Sequence, residues 1–66
     1  MYYRYLADII DNTEALALAG KNDDGENVMI QRVANDCVLL ITSQNNGWTR
    51  KNYYYNDGTI EETYEK

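Results

Sequence analysis

The residues able to do covalent or acid–base chemistry are few. The chain of 66 residues has no histidine, one cysteine (Cys37) and one serine (Ser43). A zinc site of the Cys/His kind needs about four such ligands, so one thiol cannot build one. No Gly-x-Ser-x-Gly elbow and no phosphate-cradling glycine loop occurs. Cys37 stands beside a turn among apolar residues, where a thiol reads as a small core residue rather than a nucleophile. Glu61 and Glu62 are adjacent, and on a strand neighbours point to opposite faces, so they cannot share a substrate. The loop Asn22–Glu26 invites comparison with a calcium-binding EF-hand. With Gly25 at the invariant glycine, the first and last ligand positions fall on Gly20 and Gln31, neither of them acidic. The expectation is a protein with no catalytic residues, no metal and no cofactor.

Charge narrows the partners. Eleven acids against six bases give a net charge of −5. Free binding to nucleic acid or to an anionic membrane demands a basic footprint, which is missing. A protein partner with a basic surface fits better, and the same charge serves solubility. Asp23, Asp24 and Glu26 cluster in one loop, Asp36 and Asp57 mark two turns, and Glu61 lies near the C-terminal end. Tyr53 and Tyr55 stand among these acids, and tyrosine is enriched at binding surfaces. These eight residues are the candidate partner-binding set. No apolar run approaches the ~18–20 residues of a membrane span, and no export signal is visible. With a lone cysteine, that points to the cytoplasm.

The elements that must position these groups can be read along the chain. Tyr2, Tyr5, Leu6, Ile9 and Ile10 recur at helical spacing and predict an amphipathic helix over residues 2–12. Residues 14–20 are open between helix and strand; the alternation of Leu16 and Leu18 favours a strand. Val28–Ala34 and Cys37–Ser43 read as strands joined by a turn at Asn35-Asp36. Trp48–Tyr55 and Thr59–Tyr64 follow, joined at Asn56-Asp57-Gly58. The fold class is therefore α+β: one domain over residues 1–66, with the helix packed on a four- or five-stranded antiparallel meander.

A two-residue turn at Asn35-Asp36 pairs Ala34 with Cys37 and Ile30 with Ile41. One sheet face then carries Val28, Ile30, Ala34, Cys37, Leu39 and Ile41, joined by Trp48, Tyr54, Ile60 and Tyr64, and the helix covers it. The opposite face holds Met29, Val33, Val38 and Leu40 among polar residues. One helix cannot cover both faces, so this second face meets solvent, a partner or a second copy.

The order of elements, the turn Arg32-Val33-Ala34-Asn35-Asp36 and the later Gly47-Trp48 resemble the small acidic phage-encoded anti-CRISPR inhibitors of type II effector nucleases. The resemblance spans roughly residues 4–48 and ends at Trp48, after which that family continues into helices. It implies nucleic-acid mimicry, occlusion of a DNA-binding channel, a CRISPR effector nuclease as partner, and a bacterial host cell. It carries one position over, Asp36. The functional expectation is a non-enzymatic phage or mobile-element inhibitor of a host defence protein. The alternative is a self-associating module that buries Met29, Val33, Val38 and Leu40 in a homodimer.

Overall fold

A computed structural model of the chain describes residues 2–14 and 17–66. Helix α1 spans Tyr2–Asp11, and five strands follow: β1 Ala17–Lys21, β2 Asn27–Ala34, β3 Cys37–Ser43, β4 Thr49–Tyr55 and β5 Ile60–Glu65. They form one antiparallel sheet in the order β1-β2-β3-β4-β5. This is the expected α+β meander. The strand favoured for residues 14–20 is present from Ala17; Ala15 and Leu16 lie outside the described residues.

Three of the hairpins share one loop design. In Asn22–Glu26, Gln44–Trp48 and Tyr55–Thr59 the fourth residue is a glycine with φ of 79°, 91° and 94°. Each of these glycines donates its N–H to the carbonyl three residues earlier, at 3.0–3.1 Å. A three-residue connection of this kind needs a left-handed residue before the next strand, and glycine adopts that conformation without a Cβ clash. The remaining hairpin, at Asn35-Asp36, is tighter, and it is flanked by a bulge.

That bulge corrects the expected register. Ala34 pairs with Cys37 as anticipated, but Arg32 then faces Val38 and Ile30 faces Leu40. One extra residue, Val33, is left out of the ladder. Because side chains alternate with period two, a one-residue slip turns the whole of β3 over. Val38, Leu40 and Thr42 therefore share the helix-covered face with Val28, Ile30 and Arg32. Cys37, Leu39 and Ile41 lie on the uncovered face, opposite Tyr55, Tyr53 and Lys51. Val28, Ile30, Tyr54, Ile60 and Tyr64 are on the helix side as expected. Trp48 is not in the core; it ends a loop, and Lys66 Nζ sits 5.5 Å from its ring centre.

The helix is rotated from the expected stripe. Tyr3, Leu6, Ala7 and Ile10 are buried, whereas Tyr2 and Tyr5 are exposed. The core consists of Tyr3, Leu6, Ala7 and Val38, with Ile30, Leu40 and Tyr54 packed around it. Arg32 explains the rotation. Its guanidinium donates two hydrogen bonds to the Asp11 carboxylate (3.0 and 2.8 Å) and one to the Tyr3 hydroxyl (3.2 Å). Further bonds run from Arg32 to the carbonyls of Ala34 and Asn35, and the Tyr3 hydroxyl donates to Asn35 O. One side chain thus ties both ends of α1 to the β2–β3 turn. A half-exposed ion pair contributes about 1 kcal/mol or less, so the clamp sets orientation more than stability.

The two registers make opposite predictions. Val38 is fully buried, so Val38→Ala should cost about 2 kcal/mol of unfolding free energy. Ile41→Ala, on the uncovered face, should cost less than half as much. Urea denaturation of both variants checks this, and the reverse ranking would contradict the bulged register.

Candidate functional site

The expected partner-binding residues divide between the two ends of the sheet. Asp36 lies in the β2–β3 turn and Asp57 in the β4–β5 turn, and both are exposed. The Asn56 N–H donates to Asp36 O at 2.8 Å, which fastens the two turns together. Glu61 is paired across the strands with Tyr53, and Tyr55 with Cys37, all on the uncovered face. Asp36, Tyr53, Tyr55, Asp57 and Glu61 are therefore gathered at one corner. Asp23, Asp24 and Glu26 occupy the β1–β2 turn at the opposite end, the full length of β2 away along the strands.

The electrostatics of the corner are one-sided. Among the described residues the ion pairs are Arg32–Asp11 and Lys51–Glu65, so Asp36, Asp57 and Glu61 have no base within 4.0 Å. The Asp57 carboxylate accepts the Thr59 N–H at 2.9 Å, and this bond with the Thr59 hydroxyl holds its pKa below the ordinary carboxylate value. Burial pushes the Tyr55 phenol up, and the charges of Glu61 and Asp36 add to that. Burial also raises the Cys37 thiol, with Asp36 and Glu61 contributing, although a hydrogen bond with Tyr55 works the other way. A thiol held protonated in this way is inert, consistent with a packing role. The corner offers acceptors and aromatic rings, a combination that attracts cations.

The acids of the other end are not equivalent. Glu26 accepts the Asn22 amide at 3.1 Å and the Asn45 N–H at 2.9 Å, bridging the β1–β2 and β3–β4 turns. These two bonds lower its pKa. Glu26 is a brace between loops, a role its place in a run of acids did not reveal. Asp23 and Asp24 are exposed in the same turn. In the same manner Glu62 accepts from Asn52 and Tyr64, each at 2.6 Å, which lowers the Glu62 pKa and raises that of Tyr64. Asn52 is thereby a buried polar group with its hydrogen bond made.

The expected self-association patch is dismantled by the register. Met29 lies on the uncovered face and Val33 is exposed at the bulge. Val38 and Leu40 are under the helix, so neither is available to a second copy. Among the described residues no cluster of three or more histidine, cysteine, aspartate or glutamate side chains is placed to hold a metal. None of the described helices is long and apolar enough to cross a membrane.

The Glu26 brace predicts a pH-dependent effect. A carboxyl whose folded pKa is depressed adds stability that is fully present above its ordinary value of 4.5 and is lost as the pH falls through the folded value. Glu26→Gln should lower the thermal midpoint more at pH 7 than at an acid pH below the folded pKa, where the native carboxyl is protonated too. Equal destabilisation at both pH values would show that shape, not charge, is what the loops require. In comparisons with known proteins, no family model, no curated protein and no solved structure matches the chain.

Proposed function

We propose that this domain is a non-enzymatic binding module that presses its acidic, tyrosine-bearing corner onto a basic surface of a nucleic-acid-handling protein. The observation that carries this reading is the gathering of Asp36, Asp57 and Glu61 around Tyr53 and Tyr55 with no base paired to any of the three acids. A surface that draws in phosphates through lysine and arginine draws in carboxylates by the same field. Tyr53 and Tyr55 add apolar area and a ring face for a partner cation. In its sharpest form the module is a phage or mobile-element inhibitor and its target a CRISPR effector nuclease, as the turn Arg32–Asp36 suggests.

The structure shifts the weight of the acidic set. Glu26 is committed to bracing loops, so the corner outranks the β1–β2 turn as the contact surface. A second reading, self-association through the uncovered face, has one observation in its favour: Met29 and Ile41 lie half-buried on that face and no helix covers it, although Leu39 between them is buried.

Capture from bacterial lysate, with and without competing DNA, supplies the partner. Asp36→Lys, Asp57→Lys and Glu61→Lys together should then weaken binding by about 100-fold at low salt, with the native affinity falling steeply as salt rises. Asp23→Lys with Asp24→Lys should leave affinity within about threefold. Loss only in the second variant would move the contact to the other end of the sheet. If binding is indifferent to both variants and to DNA, mimicry fails. A dimer at neutral pH that Met29→Glu disrupts would favour self-association instead.

A further inference from the structure

The helix presents more apolar surface than the core takes up. With Tyr3, Leu6, Ala7 and Ile10 turned to the sheet, Tyr2, Tyr5 and Ile9 form a second stripe along the flank of α1. Ten helical residues reach about 15 Å, whereas the eight of β2 reach about 27 Å. Part of the inner sheet face is therefore left without a roof. A groove of ≈ 450 Å³ opens there, with Tyr5 and Ile9 in its wall and Val28, Leu40, Thr42 and Arg50 in its floor. This lies in the size range of small-molecule sites, which combine apolar walls with a few polar groups. The aromatic wall is fixed in place: Tyr5 stacks on Tyr2 at 5.8 Å, and Tyr2 meets the Tyr54 ring edge-on at 4.9 Å.

Two of the four bases that make no ion pair among the described residues stand at this groove. Arg50 and Lys21 both line it, and neither has a carboxylate within 4.0 Å among the described residues. Lys21 Nζ instead donates to Gly25 O and Asn27 Oδ1. Glu26 and Glu62 lie close enough to feel the charge of Arg50, which helps to keep both ionised, and Arg50 shares a side-chain hydrogen bond with Tyr64; neither acid lines the groove. Asp23 is the acid that lines the groove, on the exposed turn. The Arg50 Nε is buried with no hydrogen-bond partner, a donor whose burial is uncompensated. The lining itself holds two bases against one acid, and with the unsatisfied Arg50 Nε this favours an anion at Arg50, while the wall favours an apolar body beside it.

We propose that this groove binds a small free carboxylate with an aromatic or branched aliphatic body, its carboxylate on the Arg50 guanidinium and its body against Tyr5 and Ile9. The site is on the opposite face of the sheet from Tyr53 and Tyr55 and does not depend on the function proposed above.

Titration of isotope-labelled protein with 3-phenylpropanoate, followed by NMR, tests it. Saturable shifts are expected at Tyr5, Thr42 and Arg50, with binding at least about tenfold weaker for 3-phenylpropanamide, which has the same body without the charge. Arg50→Gln should weaken the acid by a similar factor while thermal unfolding confirms a folded domain. Tyr5→Ser, at an exposed position, should also weaken it and serves if Arg50→Gln does not fold. Equal binding of acid and amide, native affinity in the Arg50 variant, or no saturable shift up to about 10 mM would overturn the proposal. Tighter binding of acetyl-alanyl-phenylalanine than of the free acid would overturn the small-molecule assignment in favour of a peptide terminus.

Discussion

The architecture depends on one extra residue in β2. Val33 stands outside the ladder, and its insertion decides which side of β3 meets the helix. With the bulge, Val38 is sealed beneath α1 and Arg32 projects from the same face. Arg32 can then reach Tyr3 near one end of the helix and Asp11 at the other. Without it, Arg32 would still face inward, but opposite Leu39 rather than Val38, and Cys37, Leu39 and Ile41 would lie beneath the helix. A bulge also sharpens the local twist of its hairpin. The side of β3 that enters the core is therefore a consequence of this local irregularity, and neither the core nor the clamp is secured by the helix on its own. A helix of ten residues is marginal in water and is held by its tertiary contacts.

This accounts for what was legible in the sequence. The elements were, because glycines at the required left-handed positions of Asn22–Glu26, Gln44–Trp48 and Asn56–Gly58 mark the loops directly. The register was not. Cys37-Val38-Leu39-Leu40-Ile41 is apolar at every position, so its alternation carries no information about which side is buried. Only the partner strand could settle it, and a bulge at a valine leaves no sign in composition. The helix phase failed for a related reason. Tyr2, Tyr3 and Tyr5 offer two apolar stripes of similar quality, and the choice between them rests on the bond network from Tyr3 to Arg32 and Asn35. The corner was legible as a list of residue types but not as a place, because its five members come together only through strand pairing. The groove was not legible at all. It exists because the helix is short and rotated, and both properties are tertiary.

The acids of this chain do different work, and the structure separates them. Glu26 and Glu62 accept hydrogen bonds that hold loops and strands, and both have lowered pKa values from those bonds. Asp11 belongs to the clamp, and Glu65 pairs with Lys51. Asp36, Asp57 and Glu61 make no ion pair. A net charge of −5 is thus a sum of parts with separate causes, and it cannot by itself be taken as evidence of a binding surface. What distinguishes the corner is that its charge is left uncompensated where two turns and two tyrosines converge.

One further constraint acts on β5. It is an edge strand and every one of its residues is exposed. Free edges invite pairing with other chains, and charged side chains discourage it. Glu61, Glu62 and Glu65 supply that discouragement along one edge, while β1, the other, is limited to five residues. Edge protection is therefore a sufficient reason for acids on β5, and Glu61 alone says little about binding. Asp36 and Asp57 are not explained this way, since they lie in turns and protect no edge. Asp57 is accounted for in part by its bond to Thr59, which favours aspartate at that turn position. Asp36 lends its backbone carbonyl to Asn56, and no described bond or ion pair uses its carboxylate. Of the three corner acids, Asp36 is the one whose charge the fold does not require, so the proposed binding role is most separable from stability there.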